Sequence, residues 1–247
     1  MKIVAIGGGE IGRPGYPVET TKIDRETIRL TGKKHPRLLF LPTASNDDRE
    51  YVRVVQKHFG NRFGCHVSSL FLWDKTPKRQ MAQKILSADI VYVGGGNTLS
   101  MIKRWKEVGV DKILARAARK GIVLAGVSAG AVCWFKYANS DSKKMIDPKA
   151  DYIRIPCLNF VPLFLCPHFD VERARHASLK KMLKGTKERA VAVDNCAALE
   201  IIDDRYRVVT SKPRASAYLC HWKGNKYIKK SLRGVKKFQL LSKLLSQ

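Results

Sequence analysis

The chain has 247 residues, 45% of them hydrophobic, which is enough apolar material for one sizeable core. Its 47 basic and 21 acidic residues give a formal net charge of +26, which raises nucleic-acid binding as a hypothesis. Because no run approaches the roughly 18 apolar residues of a membrane span, the pattern excludes a membrane-spanning helix.

Short apolar runs alternate with longer amphipathic segments from the start of the chain. The runs predict strands at Ile3–Ile6, Arg37–Leu41, Val67–Leu72, Ile90–Val93 and Gly121–Ala125. The amphipathic segments predict helices at Val18–Leu30, Asp47–Phe59, Pro77–Leu86, Thr98–Lys106 and Val110–Arg119. This alternation is typical of the α/β class, with a mostly parallel sheet that carries helices on both faces.

The second half of the chain has a different pattern, with a polar segment followed mainly by short strands. The segment Lys136–Asp151 is polar and is predicted to be a loop, followed by a strand at Leu163–Cys166 and a helix at Glu172–Leu183. Further short strands are predicted at Ala190–Val193, Ala198–Ile202, Arg207–Val209, Ala217–Leu219 and Tyr227–Lys229. No repeat or linker interrupts the pattern, so we expect a single domain over residues 1–247.

The six cysteines are scattered, without a C-x-x-C pair, and several lie in apolar runs. This usage is typical of buried, reduced thiols and predicts neither disulfides nor a metal site. The apolar run at residues 1–6 is too short for the core of a signal peptide. We therefore expect a cytoplasmic protein.

The basic residues are dispersed, with the densest stretch at residues 223–237. No module that reads RNA or DNA is visible, and aromatic residues make up only 9% of the chain. We therefore expect a solvated basic surface and no nucleic-acid partner. A field of this sign would also attract small anionic substrates.

The segment Gly126–Gly130 has the pattern G-x-S-x-G, directly after a predicted buried strand and before the apolar run 131–135. A strand, a turn too tight for large side chains and a helix together form a nucleophile elbow. Such an elbow would expose the hydroxyl of Ser128 above the sheet, and a helix that begins at Ala129 would direct its positive end at a developing oxyanion.

Two glycine clusters also follow predicted strands. Gly7–Gly12 matches the dinucleotide pattern G-x-G-x-x-G, but the next residues are Arg13-Pro14-Gly15, where that motif requires a helix. We therefore interpret this cluster as a turn that lets the backbone approach the active crevice. The cluster Gly94–Asn97 could supply a backbone donor that forms an oxyanion hole with Ala129, or it could be a plain turn with Asn97 as a helix cap.

A serine nucleophile needs a base, and His168 is the favoured candidate because it ends a predicted buried strand. His176, within a predicted helix, is the second choice. Three acids could orient the histidine: Asp141 in the polar loop, Asp170 two residues after His168 and, as the weakest candidate, Asp147.

Four segments together resemble the peptidase E family, the aspartyl dipeptidases, which are serine peptidases related to cyanophycinase. These segments are the opening 7–10, 94–98, 126–131 and 167–170. The resemblance implies a fold of the class I glutamine amidotransferase type and hydrolysis of dipeptides with an N-terminal aspartate, without metal or cofactor.

The resemblance also implies roles for individual residues. Ser128 would be the nucleophile and His168 the general base, while the N–H groups of Gly95 and Ala129 would bind the oxyanion. Asp141 matches the third triad member best, although the loop 137–151 departs from the family pattern. The candidates for substrate binding are Asn97, Asp170 and Arg173, with Arg175 a second cation for the aspartyl side chain.

A small peptide is therefore the expected partner. Two other classes stay open: a catalytically inactive relative that acts as a binding protein, and a basic nucleic-acid-associated protein. The sequence does not determine whether the chain forms a homo-oligomer.

Overall fold

The structure is a computed structural model that describes residues 1–232, 235 and 237–246. Residues 233, 234 and 236 of the basic stretch 223–237, and residue 247 of the expected single domain, lie outside the described residues. Within the described ranges, no helix has the length and apolar character needed to cross a bilayer.

The strands of the described residues fall into two sheets. In chain order they are β1 (Lys2–Ile6), β2 (Arg37–Leu41), β3 (His66–Ser69), β4 (Ile90–Val93), β5 (Val123–Val127), β6 (Phe135–Ser140), β7 (Ile153–Pro156), β8 (Val161–Cys166), β9 (Ala190–Val193), β10 (Ala197–Ile202), β11 (Arg205–Thr210), β12 (Ala217–Lys223), β13 (Lys226–Ser231) and β14 (Gln239–Leu240).

The α-helices that the structure describes lie between and beside these strands. They are α1 (Thr21–Arg29), α2 (Arg49–Val55), α3 (Lys78–Ser87), α4 (Thr98–Val108), α5 (Val110–Arg119), α6 (Ala129–Val132), α7 (Ala174–Leu183) and α8 (Ser242–Leu245). A π-helical stretch, Gln56–Arg62, continues α2.

The larger sheet has eight strands in the order β14-β11-β10-β1-β5-β4-β2-β3. Its centre, β1-β5-β4-β2-β3, is parallel, and β10, β11 and β14 add antiparallel strands at one side. The second sheet has the order β13-β12-β9-β8-β6-β7, in which β9, β8 and β6 are parallel. The α/β class predicted from the sequence is confirmed.

Both faces of the larger sheet are covered, because alternate residues of its strands belong to different apolar clusters. Along β1, Ile3 packs with side chains of α3, α4 and α5, whereas Val4 packs with those of α1 and α2. The cluster that contains Ile3 also reaches the second sheet. Burying a large apolar side chain stabilises the fold by about 1.5–3 kcal/mol, so these layers hold the strand ends in place.

The structure differs from the sequence prediction between residues 135 and 156, where the predicted polar loop contains β6 and is followed by β7. β6 pairs with β8 on one side and with β7 on the other, so its backbone is satisfied within the sheet. Its buried Asn139 donates to the hydroxyl of Ser178 at 2.9 Å. Such tertiary partners are not visible in a polar sequence, which explains the wrong prediction.

All six cysteines lie in the described residues, and their thiols are free. Five of them are buried and Cys157 is half-buried. Burial raises the pKa of the Cys65 thiol to about 11, which keeps it protonated and unreactive near neutral pH.

Candidate active site

Ser128 lies at the sharp turn between β5 and α6, in the arrangement that the G-x-S-x-G pattern predicts. Its backbone has φ 56° and ψ −113°, a conformation that L-residues rarely adopt. Its N–H donates to the carbonyl of Ile6 at 3.0 Å, so strand β1 anchors the turn. A strained residue at a turn between a strand and a helix is also the geometry of a nucleophile elbow.

The two glycines of the elbow provide clearance. A Cβ at Gly126 would lie 2.4 Å from the carbonyl oxygen of Gly130, and one at Gly130 would lie 2.1 Å from that of Val93. The positive φ of this turn belongs to Ser128 itself. The glycines are therefore needed because β4, β5 and α6 approach each other too closely for side chains.

The imidazole of His168 contacts the serine directly. Its Nε2 lies 2.8 Å from Oγ of Ser128, and its Nδ1 lies 2.8 Å from Oδ1 of Asn195. Because an amide oxygen only accepts, Nδ1 carries the proton and Nε2 accepts from the serine hydroxyl. This tautomer is the one that a general base needs.

The backbone around His168 is shaped to make this contact. His168 follows β8 with φ 53°, and its N–H donates to the carbonyl of Gly7 at 3.0 Å. A Cβ at Gly8 would lie 1.9 Å from Oδ1 of Asn195 and 2.5 Å from Nδ1 of His168. The first glycine cluster therefore leaves room for the bond between these two side chains, which confirms its interpretation as a turn at the crevice.

Asn195 is the candidate site residue that sequence reasoning missed. It follows β9, the parallel neighbour of β8, and thus reaches the same edge of the sheet as His168. The orienting residue predicted from the sequence was an acid, and the position of Asn195 just after a strand is the signal that could have found it.

A carboxylate holds Asn195 in place. Oδ1 of Asp170 accepts the backbone N–H of Asn195 at 2.8 Å. Beside it, burial and then the charge of Asp170 raise the pKa of Asp194 to about 6. Asp170, the second candidate for the triad acid, therefore contacts the backbone of Asn195, whose side chain contacts Nδ1 of His168.

Asp141, the preferred candidate for the triad acid, lies in a different contact. Its Oδ2 forms an ion pair of 3.3 Å with the guanidinium of Arg175, which is 1% exposed. Arg175 also pairs with Glu172 at 2.7 Å. Burial alone would raise the pKa of Glu172, but the charge of Arg175 and its hydrogen bond lower it. In this structure Asp141 connects the end of β6 to α7, and the Nδ1 partner of His168 is Asn195.

Two of the expected substrate-binding residues also have other surroundings. Asn97 caps α4, since its Oδ1 accepts the N–H of Ser100 at 3.0 Å, and its Nδ2 donates to the carbonyl of Ser142 at 3.1 Å. Arg173 is exposed at the start of α7 and is not among the residues that line the cavity at Ser128. Asn97 is therefore the cap of α4, which is one of the two alternatives drawn from the sequence.

The expected oxyanion donors lie beside the serine. A Cβ at Gly95 would lie 3.5 Å from Cβ of Ser128, and the N–H of Gly95 donates to Oη of Tyr51 at 3.3 Å. Ala129 provides the first amide of α6, which has no acceptor within that helix. Gly95 therefore lines the cavity next to Ser128, and Ala129 is the residue that directly follows the serine.

A cavity of about 530 Å³ opens at the serine and the histidine. Charged side chains line it, namely Glu10, Arg13, Glu19, Asp48 and Glu50. Arg13 pairs with Glu10 at 2.7 Å and lies 4.2 Å from the ring centroid of Tyr16. The cavity therefore carries charges of both signs.

The described residues hold no group of three or more side chains suited to a metal ion.

Comparison with known proteins identifies the family of the chain. The model of peptidase family S51 matches residues 3–209. "Uncharacterized peptidase YgaJ" of Bacillus subtilis (strain 168) is 34% identical over 221 residues, 88% of this chain and 90% of the relative. "Peptidase E" of Escherichia coli is 33% identical over 86 residues, 34% of this chain and 36% of the relative.

Among solved structures, a peptidase from an acI-B1 Actinobacterium superposes with a TM-score of 0.70. The superposition covers 97% of this chain and 96% of that one at 15% sequence identity, so it shows a shared fold. From the length of the S51 match and the relative in Bacillus, the chain belongs to peptidase family S51.

Proposed function

We propose that this protein is a cytoplasmic serine peptidase that hydrolyses dipeptides with an N-terminal aspartate. The observation that carries the proposal is the chain of contacts from Asn195 through His168 to Ser128, with both links at 2.8 Å. Nucleophile, base and orienting group within hydrogen-bond distance are the arrangement that acyl transfer requires.

In the proposed mechanism, Nε2 of His168 takes the proton of the Ser128 hydroxyl while Oγ attacks the peptide carbonyl. The N–H of Ala129 donates to the oxygen on which negative charge develops, and Gly95, the second donor expected from the sequence, has its N–H on the hydroxyl of Tyr51 beside that oxygen. His168 then gives its proton to the leaving amine, and water hydrolyses the acyl-enzyme by the same route in reverse order. No step requires a cofactor.

The charges of the cavity support a zwitterionic N-terminal residue. Arg13 provides a cation for the aspartyl carboxylate, in place of the exposed Arg173 that the sequence favoured. Glu10 and Glu19, in the same lining, provide carboxylates for the free α-ammonium group. Charged hydrogen bonds of this kind contribute more than neutral ones in a partly enclosed site.

The change Ser128→Ala tests the proposal. We expect release of free aspartate from Asp-Leu to fall by about 10⁴-fold or more, because the nucleophile is lost, while the protein stays folded. A sulfonyl fluoride probe should label the native protein and not the variant. Retained hydrolysis by Ser128→Ala would exclude this serine as nucleophile, and an unlabelled native protein would identify an inactive binding relative.

A panel of dipeptides that differ in the N-terminal residue tests the substrate. We expect aspartyl dipeptides to have the highest kcat/KM, and acetylation of their α-amino group to reduce hydrolysis. Faster hydrolysis of dipeptides that begin with a neutral residue would contradict the specificity and leave the serine chemistry intact.

A further inference from the structure

The phenol of Tyr51 lies between helix α2 and the glycine turn next to the serine. Asp48 caps this helix by accepting the N–H of Glu50 at 2.8 Å and that of Tyr51 at 3.4 Å. The ring of Tyr51 contacts Phe40 edge to face, with ring centroids 5.0 Å apart and planes at 67°. Cap and ring contact together fix where the hydroxyl lies.

The glycine turn is built to receive this ring. A Cβ at Gly94 would lie 2.8 Å from Cε1 of Tyr51 and 3.1 Å from Cζ of Phe40. Because Gly94 has no side chain, the ring lies against the turn, and Oη accepts the N–H of Gly95 at 3.3 Å. Tyr51 lines the same cavity as Ser128 and His168.

The hydrogen bonds of the hydroxyl leave one proton to donate. A phenol has one O–H donor and also accepts, and the contact with Gly95 uses it as an acceptor. Among the residues that the structure describes, no acceptor for the Tyr51 proton is present. Burial raises the pKa of Tyr51 to about 12, so the proton stays on the oxygen throughout the neutral range.

We propose that Tyr51 is a catalytic residue whose Oη–H donates a hydrogen bond to the oxyanion that forms when Ser128 attacks. The N–H of Gly95 donates to Oη of Tyr51 and polarises the phenol. The N–H of Ala129 donates to the oxyanion directly. When the bond from Oγ to the carbonyl carbon forms, the carbonyl π electrons move to the oxygen, and the serine proton goes to His168. Tyr51 keeps its proton. The inference rests on the proposed serine mechanism.

A competing role for the same contact is obstruction. If Tyr51 only occupied the donor of Gly95 in the resting protein, the substrate oxygen would have to displace the hydroxyl, and removing it would help catalysis. The two roles therefore predict opposite effects of removing the hydroxyl.

The test is Tyr51→Phe, which removes the hydroxyl and keeps the ring against Phe40. Loss of one oxyanion donor typically costs about 10²–10³ in kcat, so we expect a fall of this size with KM nearly unchanged. Tyr206→Phe is the matched control, since it removes a hydroxyl from another buried ring, 4% exposed, that lies outside the cavity lining. It should keep native kcat. Equal or higher kcat for Tyr51→Phe, with native melting temperature, would overturn the proposal.

A second readout does not depend on turnover. A peptide aldehyde that forms a tetrahedral adduct with Ser128 should bind Tyr51→Phe at least 10-fold more weakly, whereas a product dipeptide should bind both proteins equally. Equal weakening of both ligands would indicate a structural role and overturn the assignment.

Gly94→Ala displaces the phenol without deleting its hydroxyl. We expect this variant to lose kcat as well, and the double variant with Tyr51→Phe to lose no more than the larger single loss, because both changes act on one contact. Fully additive losses would mean that Gly94 and the hydroxyl of Tyr51 act independently, and that the close approach at Gly94 does not position the hydroxyl.

If Ser128→Ala is inactive and Tyr51→Phe has full kcat, only the role of Tyr51 fails. If Ser128→Ala is active, the mechanism and this inference fail together.

Discussion

An amide oxygen, that of Asn195, contacts Nδ1 of His168 where the sequence predicts a carboxylate. Oδ1 of Asn195 fixes the tautomer of His168, but it carries no charge to stabilise the imidazolium that forms during attack. The same combination of His and Asn serves cysteine peptidases on an unrelated fold. The orienting function therefore depends on the acceptor, and the charge is a separate contribution.

Substitution of Asn195 separates these contributions. Asn195→Ala should lower kcat by about 10²-fold or more, up to the 10⁴ that the wrong tautomer costs in related chemistry. Asn195→Asp keeps an acceptor and adds a charge, which favours the imidazolium. We expect this variant to retain activity and to have the acid limb of its kcat/KM profile at higher pH.

Asp141→Asn is the matched comparison, and it decides between the two candidates for the third residue. Because Asp141 pairs with the buried Arg175, we expect this variant to melt at a lower temperature and to keep kcat within a few-fold of native. A loss of orders of magnitude for Asp141→Asn, with Asn195→Ala nearly native, would restore the assignment made from the sequence.

At the scale of elements, the sequence predicts those candidate site residues that follow an apolar strand and lie in a short motif. Ser128 and His168 were found because β5 and β8 are apolar runs that stop at short motifs. Which side chain meets Nδ1 depends on the positive φ of His168 and on the pairing of β8 with β9. Neither the turn geometry nor the pairing is encoded in a local pattern, so Asn195 and strand β6 were missed.

The close packing of β4, β5 and α6 leads to a prediction for Gly130→Ala. The new methyl group would meet the carbonyl oxygen of Val93, a backbone atom that cannot rotate away. We expect α6 to move from β4, with a loss of about 1–3 kcal/mol in the free energy of unfolding and a fall in kcat as the amide of Ala129 shifts.

Gly60→Ala is the control for that change. Its Cβ would meet side chains and no backbone atom, with Nε2 at the end of the flexible Gln56 nearest at 2.4 Å, and Gly60 lies outside the cavity lining. Urea unfolding and steady-state kinetics of both variants give the comparison. If Gly130→Ala unfolds and hydrolyses like Gly60→Ala, the elbow does not depend on this clearance.

At the scale of the whole molecule, the chain has a formal net charge of +26, whereas the cavity at Ser128 is lined by more acidic than basic side chains. The cavity lining contains Glu10, Glu19, Asp48 and Glu50 against the single cation of Arg13. A polyanion is therefore attracted to the outer surface and disfavoured at the serine. The charge of the chain thus gives no support for nucleic acid as a substrate.

A salt titration with duplex DNA tests this separation. Binding through dispersed cations depends on release of counterions, so we expect retention at ~20 mM salt and loss of retention near ~150 mM. Even at low salt, DNA should not slow the labelling of Ser128 by a sulfonyl fluoride, because the acid-lined cavity excludes the phosphate backbone. Retention that persists above ~150 mM, or protection of Ser128 by DNA, would identify a nucleic-acid partner and contradict the expectation drawn from the dispersed charge.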